Sequence, residues 1–187
     1  GLSVRSSLNT EIQIIADNAL KKGLLQYDKR HGFRGPIAND VSNNWHLKYI
    51  NNNPPHNFLI AKIIKFNEKN NNAQVEVILK DEKINAELVN FKWARTSLPG
   101  GYLGPKINKA SDILQLNDII YVSSDSQKSY SLEQIPKING GIIIMDPYTG
   151  RVFALSGGFD FNKSNFNRYN FHYIFYWKSY FSSEVFK

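Results

Sequence analysis

The sequence contains no cysteine, which excludes disulfides and metal sites built on cysteine. Its four histidines (His31, His46, His56 and His172) are scattered, without the spacing that metal ligands need. No stretch approaches the roughly 20 apolar residues that a membrane-spanning helix requires, and the amino terminus lacks the pattern of a signal peptide. We therefore expect a soluble chain that binds no metal and no cofactor.

Size and charge leave the function open. The chain has 187 residues, of which 42% are apolar, enough for one ordinary core or two small ones. A net charge of +7 permits nucleic acid, anionic lipid or an acidic polymer as a partner. An AT-rich genome, which favours lysine and asparagine codons, explains the same composition at least as well.

The clearest helical pattern covers residues 10–25. Thr10 followed by Gln13 reads as a capping box at its start, and apolar residues then recur on one face. Lys29, Arg30 and His31 form a basic cluster after the helix, and Gly32 can terminate an extension of it. We interpret this cluster as chemistry of the helix end, in preference to a ligand site.

From about residue 33 the pattern becomes that of β-strands. Five strands are predicted from alternating or continuous apolar residues, at 58–66, 73–80, 84–91, 117–124 and 129–135. Five short antiparallel strands with a long excursion after the third are typical of a partly open barrel of the OB type. The pattern alone leaves an SH3-like barrel or a small sandwich open.

Two irregular segments interrupt the strands. Residues 35–56 contain "NNW" and "NNNPP", and the excursion from 91 to 116 contains "SLPGGYLGP". Loops of such length inside compact domains are usually functional or disordered. For Trp45 and Trp93 we favour a position plugging the barrel mouth over a stacking platform for bases.

A β-hairpin is predicted from two apolar runs, 142–145 and 152–155, around the turn "DPYTG". Asp146 can accept a hydrogen bond at the first turn position, Pro147 fixes φ at the second, and Gly150 supplies the positive φ of a type I turn with a bulge. Both runs are apolar on successive residues. We therefore expect both faces of this hairpin to be covered, as in a central sheet between helices.

Several motifs resemble class A penicillin-binding proteins of the 1A type. The opening "GLSVRSSLNTEIQIIADNAL" is similar to the stretch that precedes their transpeptidase domain, although Asn9-Thr10 replaces the usual Asp-Pro. "YDKRHGFRGP" (27–36), "WART" (93–96), "LGP" (103–105) and "QIPKINGGIIIMDPYTGRVFALSGGFDFNKSNFNR" (134–168) continue the resemblance in the same order.

The resemblance implies an architecture for the chain. In this family an OB-like domain interrupts the chain near the start of the transpeptidase domain. The fold is then mainly β with α: a five-stranded OB-like barrel (33–137) inserted between a strand-helix piece (1–32) and a first hairpin (138–168), which are pieces of the α/β transpeptidase domain. By the same resemblance, the parent protein is anchored in the inner membrane by an upstream segment and acts in the periplasm.

The catalytic motifs of that family do not occur in this sequence. Acyl transfer there needs S-x-x-K, S-x-N and K-T-G. The sequence has no S-x-x-K and no K-[ST]-G, and its matches to S-x-N, at 7–9 and 42–44, are nearly uninformative in an asparagine-rich chain. The glycosyltransferase domain would lie upstream of Gly1. We therefore expect no catalytic residue and no enzymatic activity in this chain.

Residues 169–187 break the resemblance. This aromatic-rich run has no turn signal and no counterpart in the family. We interpret it as aberrant, out-of-frame sequence that follows a truncation before the active site. The alternative is a genuine strand or membrane-adsorbing tail, since Phe171, Tyr173, Phe175 and Trp177 alternate onto one face.

The resemblance also implies a role for the barrel as a docking domain. The expected partner is an envelope protein or an outer-membrane lipoprotein activator, with peptidoglycan as a further candidate. The residues 97–109 form the longest loop, and Tyr102, Leu103 and Lys106 are the candidate docking residues. The alternative is an autonomous domain that binds single-stranded nucleic acid, which we disfavour because acids are at least as numerous as bases in 73–89.

Overall fold

In the computed structural model, residues 6–49, 54–79, 82–126 and 128–159 are described. The chain divides into two compact units, one formed by residues 25–135 and the other by residues 1–24 together with 136–187. The predicted tail at 169–187 and the truncation hypothesis attached to it lie outside the described residues. The described helices and strands are α1 (Thr10–Arg30), β1 (Ala38–Asn39), α2 (Trp45–Tyr49), β2 (Leu59–Phe66), β3 (Ala73–Leu79), β4 (Glu82–Asn90), β5 (Asp118–Ser126), β6 (Ser129–Glu133), β7 (Gly141–Met145) and β8 (Val152–Gly157).

The larger unit is a closed five-stranded barrel. Its sheet runs in the order β1-β5-β2-β3-β4-β6, and a further pairing of β5 with β6 closes the ring. All these pairs are antiparallel except β4 with β6, which is parallel. The prediction of a mainly β fold with an OB-like barrel is confirmed, and each predicted strand lies within two residues of an observed one.

The barrel interior is filled by the inward residues of each alternating strand. Val75 and Val77 from β3, Leu88 from β4 and Leu132 from β6 are fully buried there. Complete burial of such side chains contributes roughly 1.5 to 3 kcal/mol each relative to leaving them exposed. The alternation in the sequence therefore corresponds directly to the core that stabilises the barrel.

A second, smaller cluster lies on the outside of the barrel. Trp45 of α2 is 1% exposed and packs with Ile60 and Ile119, which belong to a cluster separate from the barrel interior. Its indole Nε1 donates to Glu76 Oε2 at 2.9 Å. The prediction that Trp45 plugs the barrel mouth is wrong, because the ring covers the outer face of the sheet and satisfies its N–H there.

Helix α1 is longer than predicted and is capped one residue earlier. The backbone N–H of Ile12 donates to Asn9 Oδ1 at 3.0 Å, so Asn9 is the N-cap and the predicted box of Thr10 with Gln13 is wrong. The side chain of Gln13 instead donates to the carbonyl of Leu155 and accepts from its N–H, both at 3.0 Å. At the other end Gly32 has φ +88° and terminates the helix as expected.

Strands β7 and β8 form the predicted hairpin of the smaller unit. Asp146 Oδ1 accepts from the N–H of Tyr148 at 3.0 Å, Thr149 Oγ1 donates to the same carboxylate, and Gly150 has φ +69°. The Thr149 hydroxyl and the Tyr148 N–H hold the pKa of Asp146 below its usual value. A register shift between Ile144 and Met145 supplies the predicted bulge.

Only one face of this hairpin is covered within the described residues. Ala154 is fully buried, whereas Ile143 and Leu155, which are partners across the two strands, are each 43% exposed. The expectation that both faces are covered is therefore wrong for the described part of the chain. In this unit helix α1 covers one face of the hairpin, and no second helix among the described residues covers the other.

Candidate docking surface

Residues Ser97–Lys109, here called the glycine-rich loop, contain the predicted docking residues. The tip is a narrow turn in which the N–H of Leu98 donates to the carbonyl of Tyr102 at 2.9 Å. Gly100 and Gly101 have φ +76° and +80°, a region that residues with a Cβ rarely adopt. The two glycines therefore permit a turn tight enough to present Tyr102 at its end.

The base of the loop is tied down by three hydrogen bonds. Arg95 Nε donates to the carbonyl of Gly104 at 2.7 Å, and the N–H of Gly104 donates to the carbonyl of Thr96 at 2.8 Å. The N–H of Ser97 donates to the carbonyl of Phe33 at 3.0 Å. Both strands of the loop are thus anchored on the barrel, and the tip has a defined conformation.

The three candidate residues occupy different environments. Tyr102 is 73% exposed, and Lys106 is exposed as well. Leu103 is half-buried, and its Cδ2 lies so close to Gly32 that a Cβ built on that glycine would be 2.8 Å away. Tyr102 and Lys106 are therefore available to a partner, whereas Leu103 packs the loop against the residue that ends α1.

A short 3-10 helix, Ala110–Asp112, closes the loop at its far end. Asp112 Oδ2 accepts from the backbone N–H groups of Lys109 and Asn108, each at 2.9 Å. Both bonds lower the pKa of Asp112, and the bond from the N–H of Lys109 has the larger effect. The N–H of Ala110 also donates to the carbonyl of Asn71, which fixes this end of the loop to the β2–β3 connection.

A polar cluster, here called the clasp, is buried except at Arg34 and Ile135 and joins the segment that leads into the barrel to the segment that leaves it. Arg34 Nη1 donates to Asp28 Oδ1 at 2.8 Å, and Arg34 Nη2 donates to the carbonyl of Ile135 at 2.7 Å. Gln134 Nε2 donates to Asp28 Oδ2 and to the carbonyl of Gly32, each at 2.8 Å. Sequence reasoning missed the clasp, although "YDKRHGFRGP" supplies three of its five members.

The basic cluster at the end of α1 is engaged within the larger unit. Lys29 Nζ lies 2.7 Å from Glu133 Oε2 and 5.1 Å from the centre of the Trp93 ring. His31 Nδ1 lies 2.8 Å from the carbonyl of Tyr27, and the two rings stack at 4.2 Å. His31 thus contacts a carbonyl of the last helical turn, whereas the preference for helix-end chemistry over a ligand site stays a prediction. Trp93 donates its N–H to the carbonyl of Leu132 at 3.1 Å.

No group of three or more histidine, aspartate or glutamate side chains in the described part of the chain is arranged to hold a metal ion. None of the helices in the same residues combines the length and hydrophobicity needed to cross a membrane.

Comparison with known proteins identifies the family. The sequence model described as "Penicillin-binding protein OB-like domain" matches residues 33–138, which is more than half of the chain. Penicillin-binding protein 1A of Rickettsia typhi is 36% identical over 169 residues, and that of Escherichia coli is 30% identical over 177 residues. Each alignment covers 90% of this chain and 20% of the relative, so the chain spans about a fifth of the length of these curated relatives.

A solved structure shows the same fold. Penicillin-binding protein 1A from Haemophilus influenzae superposes with a TM-score of 0.59 at 22% sequence identity, over 87% of this chain and 23% of that one. The OB-like barrel deduced from strand pairing is thus the fold found in a relative of known structure. The boundaries predicted between the barrel and the transpeptidase pieces, at 32/33 and 137/138, stay predictions.

Proposed function

We propose a docking function for this chain, which belongs to the family of penicillin-binding proteins that carry an OB-like domain. The chain acts in the periplasm as a non-catalytic part of a peptidoglycan synthase, and that parent protein is anchored in the inner membrane. The barrel of the chain binds an envelope protein or an outer-membrane lipoprotein that regulates the synthase. The observation that carries this proposal is the exposed Tyr102 on a loop whose backbone is fixed.

The fixed backbone matters because binding must offset the entropy of ordering the groups that make contact. Hydrogen bonds from Arg95, Gly104 and Ser97 already hold the loop, so a partner orders little more than side chains. An immobilised side chain costs about 0.5 to 1.5 kcal/mol, whereas ordering a free backbone costs about 1 to 2 kcal/mol per residue. A tyrosine on such a loop is well suited to anchor an interface.

Replacing Tyr102 with alanine tests the docking function. We expect Tyr102→Ala to weaken capture of the regulatory envelope protein by about tenfold or more, because truncation of a central anchor typically costs 2 kcal/mol or more. The measurement is a titrated pull-down with the full chain as bait, beside the thermal midpoint of each variant. The midpoint should change little, since the ring is 73% exposed.

Tyr148→Ala is the matched control, because Tyr148 is 96% exposed at the hairpin turn, away from the glycine-rich loop in sequence. This variant should capture as much of the envelope protein as the unmodified chain does. Equal losses for the two variants, or no loss for either, would remove the assignment of this loop as the docking site.

The expectation that the chain is not an enzyme has its own test. Because S-x-x-K and K-[ST]-G do not occur in the sequence, a fluorescent penicillin should leave no covalent label on this chain, whereas penicillin-binding protein 1A of Escherichia coli run beside it should be labelled. The readout is fluorescence of the denatured band after electrophoresis. A label that survives denaturation and maps to a serine of this chain would contradict the proposal.

The nucleic-acid alternative is not favoured by the barrel surface. Single-strand binders of this fold line their strands with basic and aromatic side chains. Here β3 and β4 carry Glu76, Glu82 and Glu87, and Glu76 is held by Trp45 and by Lys83 at 3.5 Å. A barrel whose strands display carboxylates repels a phosphate backbone.

A further inference from the structure

We propose that the glycine-rich loop docks an acidic protein surface with an apolar recess for the Tyr102 ring. This inference rests on the docking function proposed above and names the chemistry of the partner. It starts from an asymmetry of charge: residues 92–111 contain Lys92, Arg95, Lys106 and Lys109 and not one acidic residue.

Within the described residues none of these cations forms an ion pair, although Lys109 attracts the nearby charge of Asp112. The ion pairs of the described residues join Lys29 to Glu133, Arg34 to Asp28, Lys48 to Asp40 and Lys83 to Glu76. Each uses a cation outside the segment 92–111. Lys92, Lys106 and Lys109 are exposed, while Arg95 is partly buried under the loop and donates to Gly104.

The one carboxylate at the end of the loop is turned toward the backbone. Asp112 accepts from the N–H groups of Asn108 and Lys109, and its charge offsets that of Lys109. Lys92 and Lys106 are therefore left as exposed charges without an acidic neighbour in the segment that carries Tyr102. Exposed charges of one sign steer a partner of the opposite sign, and they do so less as salt is raised.

A single aromatic anchor on a loop that also carries lysines selects a protein over the other polyanions. Nucleic acid is bound through several aromatic side chains that stack on successive bases. The glycine-rich loop offers a single exposed ring, Tyr102, on a two-glycine turn. The Tyr102 ring would enter a single apolar recess on the partner, and carboxylates of the partner would complement Lys106 and Lys109.

The experiment uses a library of random linear peptides displayed on phage and selected on the immobilised full chain at physiological salt. The selected peptides should be enriched in aspartate and glutamate, and their affinity should fall as salt is raised. Lys106→Glu should weaken their binding by about tenfold, because attraction is replaced by repulsion at the rim. Tyr102→Ala should weaken it at least as much, and neither change should lower the thermal midpoint.

Lys22→Glu is the control, since it makes the same change of charge at an exposed position on α1 in the other unit and should leave binding unaltered. Peptides that require Tyr102 without acidic enrichment would overturn the charge inference and leave the docking function standing. Acidic peptides whose affinity is unchanged by Tyr102→Ala would overturn both the charge inference and the docking function of this loop. Failure to select any peptide, or Tyr102-dependent binding of oligothymidine or anionic phospholipid vesicles instead, would overturn the inference as well.

Discussion

Arg34→Ala is expected to lower the free energy of unfolding by about 3 kcal/mol, the low end of the range for removing one partner of a buried ion pair. The side chain of Asp28 is 4% exposed, so its carboxylate stays in the interior, where it keeps the bond from Gln134 and loses the one from Arg34. Arg34 is 24% exposed, which reduces the cost. The variant also loses the bond to Ile135, which lies at the end of the barrel unit. Urea unfolding of the full chain measures the change.

A second substitution separates the buried charge from lost packing. Asp28→Asn removes the charge, so the double variant Asp28→Asn with Arg34→Ala should be more stable than Arg34→Ala alone by about 1 kcal/mol. Lys83→Ala breaks a longer, half-exposed pair with Glu76 and should cost less than about 1 kcal/mol. If the double variant is the least stable of the three, the clasp does not act through its buried charge.

The clasp also shows why sequence reasoning reached the barrel and missed the contacts between the segments that enter and leave it. Strand β3 was predictable because Val75, Val77 and Leu79 alternate within one short window, and alternation is a local property. Asp28 and Gln134 are 106 positions apart. No periodicity links them, and a buried aspartate has the same letter as an exposed one. The parallel pairing of β4 with β6, which joins Glu87 to Ser129, is also non-local.

The candidate surface was also predictable only in part: the exposure of Tyr102 follows from local sequence, and the packing of Leu103 does not. Glycines around Tyr102 indicate a turn, and a turn tip on a barrel is exposed, as the 73% exposure of this residue bears out. Leu103 has the same local signals but packs beside Gly32, a contact set by the path of the chain. Trp45 covers the outer face of the sheet because Ile60 and Ile119 leave an apolar area there. Such packing depends on which strands become neighbours.

Gly32→Ala is expected to have the second large effect, because two penalties coincide at this residue. Its φ of +88° costs a residue with a Cβ about 1 to 2 kcal/mol. The new Cβ would lie 2.6 Å from the carbonyl oxygen of Arg95, which cannot move freely since it accepts from the N–H of Phe33 at 2.7 Å. Overpacking of this kind adds about 1 to 3 kcal/mol. Thermal and urea unfolding of the full chain report the sum.

Gly35→Ala isolates the first penalty, since Gly35 has φ +103° and a Cβ there would meet nothing within 4 Å. We expect the Gly32 variant to be the less stable of the two by the overpacking cost alone. Relief of the clash at Gly32 also requires movement of Leu103, so Gly32→Ala should weaken partner capture through the glycine-rich loop while Gly35→Ala leaves it intact. Equal stabilities would mean that the contact between Gly32 and Arg95 relaxes without cost. Unequal stabilities with equal capture would mean that Leu103 does not position Tyr102.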